Sequence, residues 1–182
     1  IRNDWTGGFL EPVPEVFHKL KRNYAPYNGS GRLKFSNSAL CPVNMEPRLW
    51  KVNPGYPGRL PVWANQLSSL SKEHLLNNLM GFPNVEKWIT SVEVESVNLS
   101  VLLTQWDLEE LDLLHLDIEG AEYQVLSSPV FDDLRPAVIV YEYVHLGEQN
   151  DVLSELLKGR GYTTKYYQHD ALAIHDSCQL LC

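Results

Sequence analysis

The stretch 111-LDLLHLDIEGAEYQVL-126 decides the fold. Leu111 to Ile118 has the length and composition of a strand covered on both faces, and the residues after it carry the Ala, Val and Leu spacing of a short helix. A strand therefore passes into a helix at Gly120. In open α/β sheets ligands sit outside the carboxyl end of a parallel strand. Asp117, Glu119 and Glu122 gather at such an end, which makes them candidates for chemistry.

The same alternation continues in both directions. Upstream, 8-GFLE-11 reads as a short strand ending in an acid; Pro14 and Glu15 suit a first helical turn, and Val16, Phe17, Leu20 and Tyr24 recur at helical spacing. The strand 32-RLKFSN-37 ends in small polar residues, Asn37-Ser38-Ala39. Residues 91–97 alternate as a strand and 99–106 form a short helix. Downstream, 137-AVIVYEYV-144 is another buried strand, ending at Glu142 and His145, and the segment 148–162 is a helix with Val152, Leu153, Leu156 and Leu157 on one face that ends near Gly159 or Gly161. Residues 162–167 and 170–175 read as a terminal antiparallel pair. This order predicts an α/β protein with a mostly parallel sheet and helices on both faces.

Residues 40–90 break the pattern, gathering most of the prolines together with Trp50, Trp63 and Trp88. Within them, 48-RLWKV-52 reads as a strand and 71-SKEHLLNNL-79 as a helix capped by Ser71. The segment is expected to be an irregular insertion or lid within a single domain spanning 1–182; a satellite core under a long loop is the competing reading.

Composition narrows the partners. With 182 residues, 44% of them hydrophobic and 21% charged, the chain can bury one substantial core. Its 15 basic residues against 23 acidic, net −8, lack the clustered Lys and Arg that nucleic acids or anionic membranes require. No run is long and apolar enough for a membrane span, and no signal pattern opens the chain. Cys41, Cys178 and Cys182 form no CxxC and suggest reduced thiols. A soluble, cytoplasmic protein acting on a small molecule is expected, and the oligomeric state is not readable. The triplets beginning at Asn28 and Asn98 are read as chance matches to a glycosylation pattern.

The segments 11-EPVPEVFHKLKRNY-24, 35-FSNSAL-40, 97-VNLSVLL-103, 111-LDLLHLDIEGAEYQVL-126 and 139-IVYEYVHL-146, in this order and spacing, resemble the FkbM family of S-adenosylmethionine-dependent methyltransferases. Asp-Ile-Glu-Gly-Ala-Glu before a short helix is the most specific piece. The resemblance implies the Rossmann-like class I methyltransferase sheet, whose last-inserted strand alone is antiparallel, in agreement with the C-terminal hairpin. It implies S-adenosylmethionine as cofactor and, as activity, O-methylation of a hydroxyl on a small metabolite, sugar or polyketide. A non-catalytic methyltransferase-like binding module that has lost the cofactor loop is the alternative.

Under this resemblance Glu11, ending the second strand, accepts hydrogen bonds from both ribose hydroxyls, a task suited to a carboxylate. Ser36, Asn37, Ser38 and Ala39 fall near the adenine. Asp117 lies at the fourth strand's mouth, near the methionine part of the cofactor and the acceptor. The base that takes the acceptor's proton is Asp117, Glu119 or His145, the last expected beside Asp117 if their strands pair. Glu122 is expected to serve the helix N-terminus, and His115 to pack. Asp117, Glu119, Glu142 and His145 form a weak metal pattern, and no metal is expected. One departure stands out: the first strand and glycine-rich loop of the class are absent from the sequence as read. The resemblance therefore predicts further residues before Ile1 and between Asp4 and Trp5, and an open slot between the strands ending at Glu11 and Asp117.

Overall fold

The computed structural model describes residues 5–41, 48–53, 55–61, 64, 67–108 and 110–178. In chain order the strands are β1 (Gly7–Leu10), β2 (Leu33–Ser36), β3 (Ala39–Leu40), β4 (Arg48–Val52), β5 (Ser68–Ser69), β6 (Ile89–Glu93), β7 (Ser96–Val97), β8 (Leu113–Leu116), β9 (Val138–Glu142), β10 (Tyr162–Tyr167) and β11 (Asp170–His175). The helices are α1 (Pro14–Tyr24), α2 (Lys72–Leu79), α3 (Leu99–Trp106), α4 (Glu122–Leu126), α5 (Val130–Asp133) and α6 (Gln149–Gly159).

A β-α-β unit opens the described chain. β1 pairs in parallel with β2, from Gly7 opposite Leu33 to Leu10 opposite Ser36. Pro14 pre-sets the first turn of α1, where its missing N–H costs nothing. Phe9 holds helix and strand together, its ring 4.6 Å from Tyr24 and 5.4 Å from Phe35. The return into β2 is set by Asn28, whose side chain accepts from Leu33 N–H and donates to Leu33 C=O.

The main sheet runs β10-β11-β9-β8. β8 and β9 are parallel, whereas β11 runs antiparallel to both β9 and β10. Its core joins Leu116, Ile139, Tyr141, Ala171 and Ala173 from the strands to Val125, Leu126, Phe131, Leu153 and Leu157 from the helices. On α6, Leu153 and Leu157 are fully buried, but Val152 is turned to solvent. Arg160 ties the end of α6 to α4 and α5, donating to Leu126 C=O at 2.7 Å and pairing with Asp132 at 2.7 Å.

Residues 48–93 build a unit of their own. β4 pairs antiparallel with β5 and with β6. Ala64, Leu67, Leu75, Leu79 and Val85 form a second buried cluster, with Trp50, Tyr56 and Phe82 packed on it. The single strand read over 91–97 is divided. β6 pairs with β4 and β7 with β3, so the chain changes partner at Val94-Glu95.

Two expectations are corrected here. The pairings do not form one mostly parallel sheet: among the described residues they fall into four sheets, with three parallel and four antiparallel pairs. The insertion pairs with itself through antiparallel contacts, and the C-terminal hairpin adds two more. Nor is β8 covered on both faces: Leu116 is buried, while Leu113 is 44% exposed and His115, expected to pack, is exposed too. β8 lies at the edge of its sheet, and residues two apart share a face, so the face carrying Leu113 and His115 is open. Among the described residues β1 and β8 are not paired with each other, and each has one strand neighbour. Asp4, the other residue of the expected break, lies outside the described residues, as do Trp63 and Cys182.

Candidate active site

The register of the main sheet assembles the site. Leu116 stands opposite Tyr141 in the parallel pair, so the next residues, Asp117 and Glu142, end adjacent strands side by side. Glu142 in turn stands opposite Asp170 on β11. Three acids thus line one edge of the sheet across three strands. Like charges so placed repel. Burial raises the pKa of Glu142 to about 7, with Glu119, Asp117, Glu122 and Asp170 adding to the rise. Asp117 is open to solvent at its surface, yet partial desolvation, and then the charge of Glu119, still lifts its pKa.

The loop after β8 explains why so many acids follow one strand. Glu122 is fully buried, and its carboxylate accepts the N–H of Ile118 at 2.9 Å and of Gly120 at 3.0 Å. It shapes the loop from inside instead of merely complementing a helix end. Burial raises its pKa and these backbone hydrogen bonds oppose the rise. Glu119 and Gly120 both take the left-handed region, at φ 54° and 97°. For a non-glycine residue that conformation costs of order 1–3 kcal/mol and persists only when its surroundings enforce it. Ser69 of β5 helps, its hydroxyl donating to Glu119 C=O at 3.0 Å.

The bent loop aims Glu119 at the insertion. Its Oε2 lies 3.3 Å from His74 Nε2 on α2, and Asn78 Nδ2 lies 2.9 Å from the same nitrogen. The His74 ring stands edge-on to His145, with centroids 4.4 Å apart and planes at 89°. His145 Nε2 is 3.4 Å from Glu142 Oε1. Burial and then the neighbouring His74 lower the His145 pKa. One ligand atom each from His74, Glu119 and His145 lies within 4.8 Å of the others. A side chain on Gly120 would come within 3.3 Å of His74 Nδ1, so this glycine allows both the turn and the approach.

The second group of residues lies at the ends of β1 and β2. Glu11 Oε1 accepts Val13 N–H at 2.7 Å, and burial raises its pKa while this hydrogen bond opposes the rise. Asn37 spends its amide on Glu11 C=O and Pro12 C=O, at 2.7 and 3.2 Å, and so locks the two strand ends together. Ser36 and Ser38 share a hydroxyl hydrogen bond of 2.7 Å. Ala39 is buried in β3, its N–H given to Glu95 C=O. A cleft of ≈ 630 Å³ opens at these ends, lined by Pro12, Asn37, Arg48, Glu93, Glu95 and Ser96 among others.

The structure therefore brings Asp117, Glu119 and His145 together, and Glu11, Ser36, Asn37 and Ser38 together, with Ala39 set back in the core. It adds residues that sequence reading did not place in the site. His74 and Asn78 are one turn apart on α2, a polar pair flanked by buried Leu75 and Leu79, and that spacing is the only signal they carry. Asp170 carried none, because its role arises from register.

Acids at the carboxyl ends of parallel strands, with a cleft at neighbouring strand ends, define an α/β protein compatible with a methyltransferase-like fold. The methyltransferase FkbM domain matches residues 1–164, and the chain belongs to this methyltransferase family. No curated protein and no solved structure matches the chain.

Proposed function

We propose that the protein transfers the methyl group of S-adenosylmethionine to a hydroxyl of a small metabolite, sugar or polyketide. The observation that carries this reading is the row Asp117, Glu142 and Asp170 beside His145: a half-open acidic mouth suited to a cationic cofactor and a polar acceptor. When bound, S-adenosylmethionine supplies an activated methyl group on a positively charged sulfur.

The residues present fit such a ligand. The cleft at the ends of β1 and β2 falls within the roughly 300–1,000 Å³ of small-molecule sites. One oxygen of Glu11 is held by Val13 N–H, which orients the carboxylate and leaves the other to accept from ribose hydroxyls. The Ser36 and Ser38 hydroxyls offer donors and acceptors for the adenine; Asn37 positions Glu11 by tying its backbone. Asp117 takes the proton of the acceptor hydroxyl. Its accessibility lets an acceptor reach it, and its raised pKa makes it a better base than an ordinary carboxylate. Glu119 and His145 orient the acceptor.

Calorimetry with S-adenosylmethionine and S-adenosylhomocysteine tests cofactor binding, and transfer of labelled methyl to a panel of hydroxyl compounds tests the reaction. Binding of both, with turnover lost in Asp117→Asn while its melting temperature holds, is the expected result. Absence of binding by the whole protein would instead favour the non-catalytic binding module. If Asp117→Asn unfolds yet keeps its activity per folded molecule, Asp117 is a structural acid.

A further inference from the structure

We propose that His74, Glu119 and His145 form a binding site for a divalent transition-metal ion. Their ligand atoms already converge within 4.8 Å. Around an ion with bonds of about 2.0–2.2 Å, tetrahedral ligands stand roughly 3.3–3.6 Å apart. His74 Nε2 and Glu119 Oε2 are at 3.3 Å, so one edge of such a polyhedron is in place.

The hydrogen-bonding pattern points to a cation independently of that convergence. Asn78 Nδ2 donates to His74 C=O at 3.2 Å, which fixes the amide's orientation, and the same nitrogen lies 2.9 Å from His74 Nε2. A donor there makes Nε2 the unprotonated, accepting nitrogen of the ring. Nε2 and Glu119 Oε2 then face each other as two acceptors at 3.3 Å, an arrangement that repels unless a positive charge lies between them. Protonating Nε2 would satisfy Glu119 and set two donors against each other at Asn78 instead. A metal ion between them takes the single Nε2 lone pair and one from Oε2, and so removes the repulsion; one Asn78 N–H is then released from the ring while the other keeps His74 C=O at 3.2 Å.

The surroundings have the character of a supporting shell. Glu142 Oε1 lies 3.4 Å from His145 Nε2 and places a second carboxylate beside that imidazole. The Ser69 hydroxyl and the buried Glu122 hold the Glu119 loop in its left-handed turn. Asp117 and Asp170 add negative potential. Two imidazoles and one carboxylate favour ions such as Zn²⁺, Fe²⁺ or Co²⁺ over Mg²⁺ and Ca²⁺, which prefer oxygen-only shells. The site stands at the mouth assigned to the methyl acceptor, where a metal would hold the acceptor oxygen and ease loss of its proton to Asp117. That role rests on the methyl-transfer reading; the metal site itself does not.

The test uses the whole protein, stripped with a chelator and titrated with Co²⁺, whose visible absorption reports nitrogen and oxygen ligation. One equivalent should bind, Zn²⁺ should displace it, and millimolar Mg²⁺ should not. His74→Ala, Glu119→Gln and His145→Ala should each weaken binding at least roughly tenfold, while His115→Ala and Cys178→Ser leave it unchanged. Circular dichroism identifies any variant that fails to fold, and the unmodified protein's cobalt spectrum needs no variant. No stoichiometric uptake, or uptake indifferent to the three substitutions, would overturn the site. Failure to bind S-adenosylmethionine with cobalt binding intact would overturn the methyl-transfer reading and leave the metal site standing.

Discussion

Glu11 and Glu122 show how similar side chains are put to different uses by their surroundings. Glu11 has one oxygen held by Val13 N–H, and under the proposed function the other serves the cofactor. Glu11→Ala should weaken S-adenosylmethionine binding by about 1.5–3 kcal/mol for each charge-assisted hydrogen bond lost, with little change in the unfolding midpoint; equal affinity in calorimetry would remove Glu11 from the site. Its pH dependence has a definite sign. Under the proposed function the carboxylate is the form that would accept from ribose, and burial raises its pKa above 4.5. Affinity should therefore be complete well above that pKa and begin to fall, as pH is lowered, before 4.5 is reached. Glu11→Gln should flatten the profile over that window. Glu122, by contrast, is spent on backbone N–H groups. Glu122→Ala would strand the amides of Ile118 and Gly120 and should cost roughly 2–5 kcal/mol in urea denaturation; a loss below the error of that measurement would mean the loop finds other partners.

At the scale of elements, β1 depends on one close approach. A Cβ on Gly8 would fall within the Trp106 indole at the end of α3, so position 8 admits no side chain unless that ring moves. Gly8→Ala should destabilise by about 1–3 kcal/mol, as overpacking does. Trp106→Leu in the same background should restore part of the loss, because the residue that collides is gone. Strict additivity of the two changes in a double-mutant cycle would show that the contact is not the cause. α1 illustrates the complementary case: none of its residues is fully buried, so its attachment rests on half-buried Phe17, Leu20 and Tyr24. Its boundaries were nonetheless legible, since Pro14 and the 3.6-residue spacing are local signals.

Across the whole molecule, the two buried clusters meet chemically at Glu119. Ser69, from the sheet of the insertion, donates to Glu119 C=O and accepts Ser71 N–H, both at 3.0 Å. His74, next in the same segment, meets the Glu119 carboxylate. Ser69→Ala should therefore act on both sides, costing roughly 1–3 kcal/mol for the buried partners left unpaired and lowering methyl transfer by misplacing Glu119. Retained turnover at unchanged stability would show that the insertion does not hold the loop. Among the described residues no helix is long and apolar enough to cross a membrane.

What the sequence determined by itself is local. Hydrophobic period, Pro14 and the Ser71 cap define elements, and β4, β10 and β11 fall where the residue pattern puts them, because each depends on neighbours a few positions away. The cluster of acids after β8 was legible for the same reason. What only the tertiary structure decided is everything that depends on distant pairing. His74 meets Glu119 across 45 residues, and Asp170 joins Glu142 through the register of β11 on β9. Leu113 and His115 face outward on one side of β8, although their run of apolar neighbours reads as buried. The buried use of Glu122 likewise depends on the path of the backbone it closes upon. A periodic pattern records which side of an element is apolar; it holds no record of which other element arrives to cover it.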